Sequence, residues 1–196
     1  MKIKTQVTMR KHILNWYNKA DGVELVQGLD WYSEANGYAI YLADKYNVND
    51  LFKVSQVIAL LSPQVDWETN KVNAEKIIKC WHAKGDFMSV KIFATEVQKA
   101  NCIDCLDGGY SIPVTALKTR SFSVNICNPS ISDCITIDRH ATKVALNDLK
   151  AGGVALTKKN YFEISKAYKA VSLKLGITPS QLQAVTWITY KNEVNR

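Results

Sequence analysis

Apolar residues return every three or four positions along most of the chain, and strict alternation never runs long enough to make a strand, so the pattern predicts an all-α protein. Ala35, Tyr38, Ala39, Leu42 and Tyr46 share one face of a helix ending near Asn47. Asp50 opens the next helix, whose inner face carries Leu51, Val54, Val57, Ile58 and Leu61; Pro63 then pushes Ser62 out of helical geometry. Asp66 is placed to cap a third helix reaching Trp81, with Asn70, Ala74, Ile77, Ile78 and Trp81 turned inward and Lys71, Glu75, Lys76 and Lys79 turned to solvent. Towards the C-terminus, Asn160-x-x-Glu163 has the form of a capping box. It opens a helix that buries Tyr161, Ile164, Tyr168, Val171 and Leu175 and ends at Gly176. Thr178-Pro179-Ser180-Gln181 starts another at once, with the hydroxyl as cap, proline in the first helical position and glutamine reaching back. Residues 101–113 with Gly108-Gly109, 127–134, and 147–159 with Gly152-Gly153 lack a pattern and read as loops.

With 196 residues the chain can build one domain of two packed lobes, and 47% hydrophobic with 22% charged residues is a folded rather than a disordered balance. Lys and Arg number 25 against 18 Asp and Glu, a net charge of +7. Such a field attracts polyanions and makes nucleic acid the first partner to consider, although mildly basic soluble proteins are common. The five cysteines are an odd number and no signal peptide precedes them, which points to a reducing, cytoplasmic location. No apolar run approaches the roughly 18 residues that cross a bilayer, so no membrane role is expected. Cys102-x-x-Cys105 has the spacing of half a zinc site or of a redox dithiol, but no second ligand pair follows, and no metal site is expected.

The most informative stretch is Cys134-Ile-Thr-Ile-Asp-Arg-His-Ala-Thr-Lys-Val-Ala, an apolar approach that delivers Asp138 onto a helix start. Backbone N–H groups and the positive end of the helix dipole both favour the ionised carboxylate there. Such an anion facing a cleft can stabilise positive charge developing on a sugar as a glycosidic bond breaks, or orient a water; facing nothing, it is only a cap. Lys118 lies 20 positions upstream, in Pro113-Val-Thr-Ala-Leu-Lys-Thr-Arg-Ser-Phe-Ser-Val-Asn. A lysine shielded from water can attack an electrophilic sugar carbon and form a Schiff base; an exposed one is a surface cation.

Three stretches, Leu60-Leu61-Ser62-Pro63-Gln64, the Lys118 region and Ile135-Thr136-Ile137-Asp138-Arg139-His140, resemble in order and spacing the helix-hairpin-helix DNA glycosylase superfamily, the endonuclease-III-like enzymes, over roughly residues 50–146. The resemblance implies a bundle of two packed helical lobes, one of about 50–137 and one of about 1–49 plus 138–196. It implies that Gln64 probes the opened duplex, Lys118 is the nucleophile, Asp138 is the essential acid and His140 falls on the family's histidine. Trp67 and Glu68 on the following helix, Arg120 and Asn125 near Lys118, and Arg139 beside Asp138 complete the candidate contacts to base or phosphate; for Trp67, core packing is the competing role. Gln183 and Trp187 near the chain end stay open as candidates.

Departures are equally specific. The family's hairpin carries a Leu-Pro-Gly-x-Gly turn whose amides hold a DNA phosphate, whereas no glycine lies between Gly109 and Lys118 here. No cysteine follows Cys134, so an iron–sulfur loop is absent, and no cofactor is expected. The layout is also similar to the predicted α-glutamyl/putrescinyl thymine pyrophosphorylases of bacteriophages, through the lysine–threonine–arginine stretch and the C-terminal helix. That similarity implies an amine displacing pyrophosphate from an activated base, in a phage-infected bacterium. The sequence therefore leads to DNA and to an enzyme acting at or near an N-glycosidic bond. The alternatives are a transferase on hypermodified thymine and a binding module that kept the scaffold without the chemistry.

Overall fold

The computed structural model describes residues 3–148 and 156–195. Among them the regular structure is helical, with no strand. Helix α1 is Gln6–Lys19, α2 Gly22–Lys45, α3 Leu51–Leu60, α4 Trp67–His82, α5 Glu96–Asp107, α6 Leu117–Cys127, α7 Arg139–Leu146, α8 Lys158–Leu175 and α9 Pro179–Asn195, with a 3₁₀ turn at Phe87–Ser89. No described helix is long and apolar enough to cross a membrane.

Most starts are set by local capping chemistry. Asp50 accepts from the Phe52 amide at 2.9 Å and Asp66 from the Thr69 amide at 2.7 Å. Thr178 and Gln181 form the reciprocal box, with the Gln181 amide on the Thr178 hydroxyl at 3.2 Å and the Thr178 amide on Gln181 Oε1 at 3.0 Å. Gly176 closes α8 in the left-handed region at φ 69°.

Two compact units form. One comprises residues 1–34 and 128–196, the other 35–127. In the first, α1 packs on α7, α8 and α9, burying Met9, Ile13 and Trp16 against a core that includes Val144, Ile164, Tyr168 and Val185. Helix α2 approaches α9 so closely here that a Cβ at Gly28 would overlap the Val185 backbone. In the second unit α3 is the axis, packed on α4, α5 and α6 and buried continuously from Val54 to Leu60. The lobes implied by the resemblance divide in loops, at about 49/50 and 137/138. The compact units divide at 34/35, inside the unbroken α2, and at 127/128. A long helix can give each of its ends to a different core, and no turn residue announces that.

Two sequence expectations are corrected. Residues 101–107, read as loop, belong to α5, which opens one turn earlier with a Thr95–Gln98 capping box and closes at left-handed Gly108, φ 91°. Helix α8 begins at Lys158, capped by Thr157 through the Asn160 amide, rather than at an Asn160 box. Helix α1 was not signalled by the pattern at all. Of the expected loop 147–159, residues 149–155, including Gly152-Gly153, lie outside the described residues.

Candidate functional site

In the first unit the chain approaches α7 as an extended segment. Ile135 and Ile137 are buried, which draws the backbone inward and leaves Asp138 at the edge of the core. Tyr161 fixes the approach, donating its hydroxyl to the Ile135 carbonyl at 2.6 Å and accepting from the Ile137 amide at 3.4 Å. Between them Thr136 meets the buried Tyr32 hydroxyl at 3.1 Å, and Tyr32 also reaches Gln183 Oε1 at 3.1 Å.

Asp138 itself is extended, φ −109° and ψ −170°, and caps α7. Its Oδ1 accepts from the Ala141 amide at 2.7 Å, while Oδ2 faces His140 Nδ1 at 3.3 Å. The Asp138 side chain is 21% exposed and that of His140 33%, so both are reachable. With Nδ1–H donated to the carboxylate, the imidazole would present Nε2 as a proton acceptor. Arg139 is exposed on the first turn. Beneath α7, Tyr168 donates to the Ala141 carbonyl at 3.3 Å. Its burial chiefly, and the Asp138 carboxylate in addition, push its hydroxyl well above the ordinary range, so it remains a donor.

Lys118, Arg120 and Asn125 are all on α6, in the second unit. Lys118 is exposed on the first turn. Arg120, also exposed, reaches back to the Ile112 carbonyl at 3.4 Å. Asn125 is completely buried, which turns its amide into the interior and leaves it no surface to offer a ligand. The far end of α6 is held by Asn36, whose Nδ2 donates to the carbonyls of Ile126 at 2.8 Å and Cys127 at 3.2 Å. The loop before α6, where the sequence lacks glycines, is held from α3. Gln56 Oε1 accepts from the Ile112 amide at 2.9 Å and the Ser111 hydroxyl at 3.3 Å.

Gln64, Trp67 and Glu68 lie together at the α3–α4 turn of the same unit. Gln64 is exposed and stands in the left-handed region at φ 65°, where residues with a Cβ are uncommon. Trp67 is half-buried, its ring edge-on to Tyr38 at 6.2 Å, so it is engaged in packing and only partly free to stack. Glu68 is exposed and paired with Lys71 at 2.8 Å.

Cys102 and Cys105 point into the core from α5. Burial pushes both thiols up, Cys105 to about 11, so neither is presented as a thiolate at neutral pH. Among the described residues no group of three or more His, Cys, Asp or Glu could hold a metal ion.

Sequence reasoning missed the residues that do the positioning. Gln56, Tyr161 and Tyr32 are polar groups on otherwise buried helix faces. Gln56 was visible in principle, as the larger of two polar side chains, with Ser55, within Val54–Leu60. The tyrosines were not, because a buried tyrosine reads as an ordinary core residue until its hydroxyl's partner is known.

No curated protein and no solved structure matches the chain. A family model does, over residues 1–194, and on that match the chain belongs to DUF7178, a family of unknown function.

Proposed function

We propose that this chain acts on a nucleotide extruded from DNA, at or near its N-glycosidic bond, on a helix-hairpin-helix glycosylase-like scaffold. The observation that carries the reading is the Asp138 carboxylate. It is anchored through one oxygen to the start of α7, faces His140 with the other, and keeps a fifth of its side chain open to solvent. A fixed anion of that kind suits a transition state in which the sugar becomes positive. Lys118, exposed on α6 in the free chain, is the proposed nucleophile and needs the bound duplex to shield it from water. Its nitrogen adds to C1′ as the bond to the base breaks, the base leaves with a proton, and opening of the C1′–O4′ bond with loss of the remaining amine proton leaves an imine. Gln64, exposed and held in a strained turn, is the proposed filler of the gap left by the extruded base.

The test is incubation of the full chain with duplexes carrying damaged and hypermodified pyrimidines, with and without borohydride. Base release together with a crosslink at Lys118 supports the reading. Release without a crosslink reassigns the attack to a water oriented by Asp138 and reduces Lys118 to a contact. No release from any duplex overturns it.

A second reading, a transferase on hypermodified thymine, draws support from the loop before α6. There the Ile112 amide goes to Gln56, and the Ala116 amide goes to the Pro113 carbonyl at 2.9 Å, so neither is offered to a DNA phosphate. Pyrophosphate release from pyrophosphorylated hydroxymethyluracil in DNA with an amine donor, leaving no abasic site, would favour this reading over the first.

A further inference from the structure

We propose that the second unit carries a separate site, an open groove along α4 that binds an amphiphilic anion: an apolar chain or ring ending in a carboxylate or phosphate. The groove encloses about 830 Å³ between α4, the chain from Met88 to Phe93 and Lys99 of α5. That volume lies within the range of ligand pockets, roughly 300–1,000 Å³.

Two kinds of surface meet in it. One is apolar: Val72 is 50% exposed, Met88 43% and Phe93 63%, so three large side chains stand in water along one depression. The other is cationic. Lys99 is only 8% exposed, yet among the described residues its ammonium meets two backbone carbonyls, Met88 at 3.2 Å and Val90 at 2.7 Å, and no carboxylate. A buried ammonium has three donors, and two are used. Lys76 and Lys91, both exposed, add two more positive charges to the lining. The acid in the lining, Glu68, is already paired with Lys71, so the groove keeps an excess of positive charge. Asn73 also lines it; its side chain is buried and its Nδ2 has no acceptor.

Fastening the 88–93 segment to α5 needs only a neutral donor. A buried charge with a donor to spare, in a lining that also holds an amide lacking an acceptor, suits an oxygen that arrives from outside. The apolar wall selects anions that carry a hydrocarbon body, and none of the groove's residues depends on the role given to Asp138.

The experiment is a titration of the ¹⁵N-labelled full chain, followed by amide spectra, with octanoate, octyl phosphate, octanol and inorganic phosphate. Octanoate or octyl phosphate should shift amides of residues 68–76, 88–93 and 99 saturably, and the stronger of the two identifies the head group. Octanol and inorganic phosphate, each lacking one half of the ligand, should bind at least about tenfold more weakly. The double variant K76Q/K91Q changes only exposed side chains and should weaken binding by about tenfold. Lys99→Met should weaken it further, and if that variant fails to fold, K76Q/K91Q still decides. Three results would overturn the proposal: no saturable shift up to millimolar ligand, equal binding of octanol, or unchanged affinity in K76Q/K91Q. Shifts of the same amides by a single-stranded oligonucleotide, with octanoate silent, would also overturn it and assign the groove to nucleic acid.

Discussion

Replacing Asp138 by Asn separates a cap from a catalyst. Asparagine caps helices about as well as aspartate, so the bond from the Ala141 amide, 2.7 Å in the native protein, has a ready substitute. What is lost is the charge: about 0.3–1 kcal/mol of interaction with the α7 dipole. The contact with His140 joins two part-exposed groups, 21% and 33%, and contributes no more than about 0–1 kcal/mol. The total of roughly 0.3–2 kcal/mol is a small part of the roughly 5–15 kcal/mol that holds a domain folded, so the variant remains almost entirely native at 25 °C. Removing one electrostatic contact from a transition state, by contrast, costs about 10²–10³ in rate. Urea unfolding followed by tryptophan fluorescence, together with turnover on a substrate found as above, measures both quantities on one sample. A small shift in midpoint with activity reduced by a hundredfold or more is the expected result. Activity within about threefold of the native protein would leave Asp138 as a cap and nothing else.

Three further outcomes are expected. Gln64→Gly relieves a left-handed residue that costs about 1–2 kcal/mol against about 0.5–1 kcal/mol of added backbone entropy, so stability should rise slightly while turnover falls; undiminished turnover would remove Gln64 from the mechanism. Gln56→Leu strips the buried Ile112 amide of its acceptor and should lower the unfolding free energy by about 1–3 kcal/mol, and a loss below about 0.5 kcal/mol would show that the loop before α6 is held by other contacts. Burial raises the Cys105 thiol from 9.0 to about 11, so the unfolded chain loses this proton first: the stabilisation is complete below pH 9 and disappears as pH rises towards 11. Cys105→Ala should therefore lose less stability than the native protein between pH 8 and 11, as measured by urea midpoints, and parallel curves would contradict this.

Capping is the part of the fold most legible in the sequence because it is local. Asp50, Asp66, Asp138 and Thr178 each bond an amide two or three residues on, so each start can be read from a few letters. Helix α5 escapes the same reading because Lys99, a residue type usually in water, occupies a buried position and Cys102 and Cys105 break the expected pattern of large apolar residues. The Thr95–Gln98 box before it was the usable signal. At the candidate site, the sequence suggests chemistry by residue type but leaves exposure undecided. Lys118 is exposed on α6 and Asn125, on the same helix, is sealed. Both are polar letters in one string, and only the packing of α6 on α3 distinguishes them.

The Asp138 carboxylate is held by α7, through the Ala141 amide and His140, and α7 in turn is positioned by its surroundings. A helix of eight residues is too short to persist alone in water. It is held at both ends by side chains from elsewhere. Tyr161 grips the approach on either side of Thr136. At the far end Lys4 donates to the Leu146 carbonyl at 2.6 Å, His12 Nδ1 lies 3.0 Å from the Ala145 carbonyl, and Trp16 donates to Asn147 Oδ1 at 3.2 Å. Asn147 adopts the left-handed conformation that ends the helix, φ 49°. Lys4, just before α1, and His12 of α1 therefore meet carbonyls that α7 leaves open, and α8 supplies Tyr161 and Tyr168. A cap alone does not need three elements to orient it; a charge that must meet a reacting atom within a fraction of an ångström does. If that is why the frame exists, Tyr161→Phe, which removes the grip while leaving Asp138 in place, should reduce turnover by more than the change in the folded fraction explains.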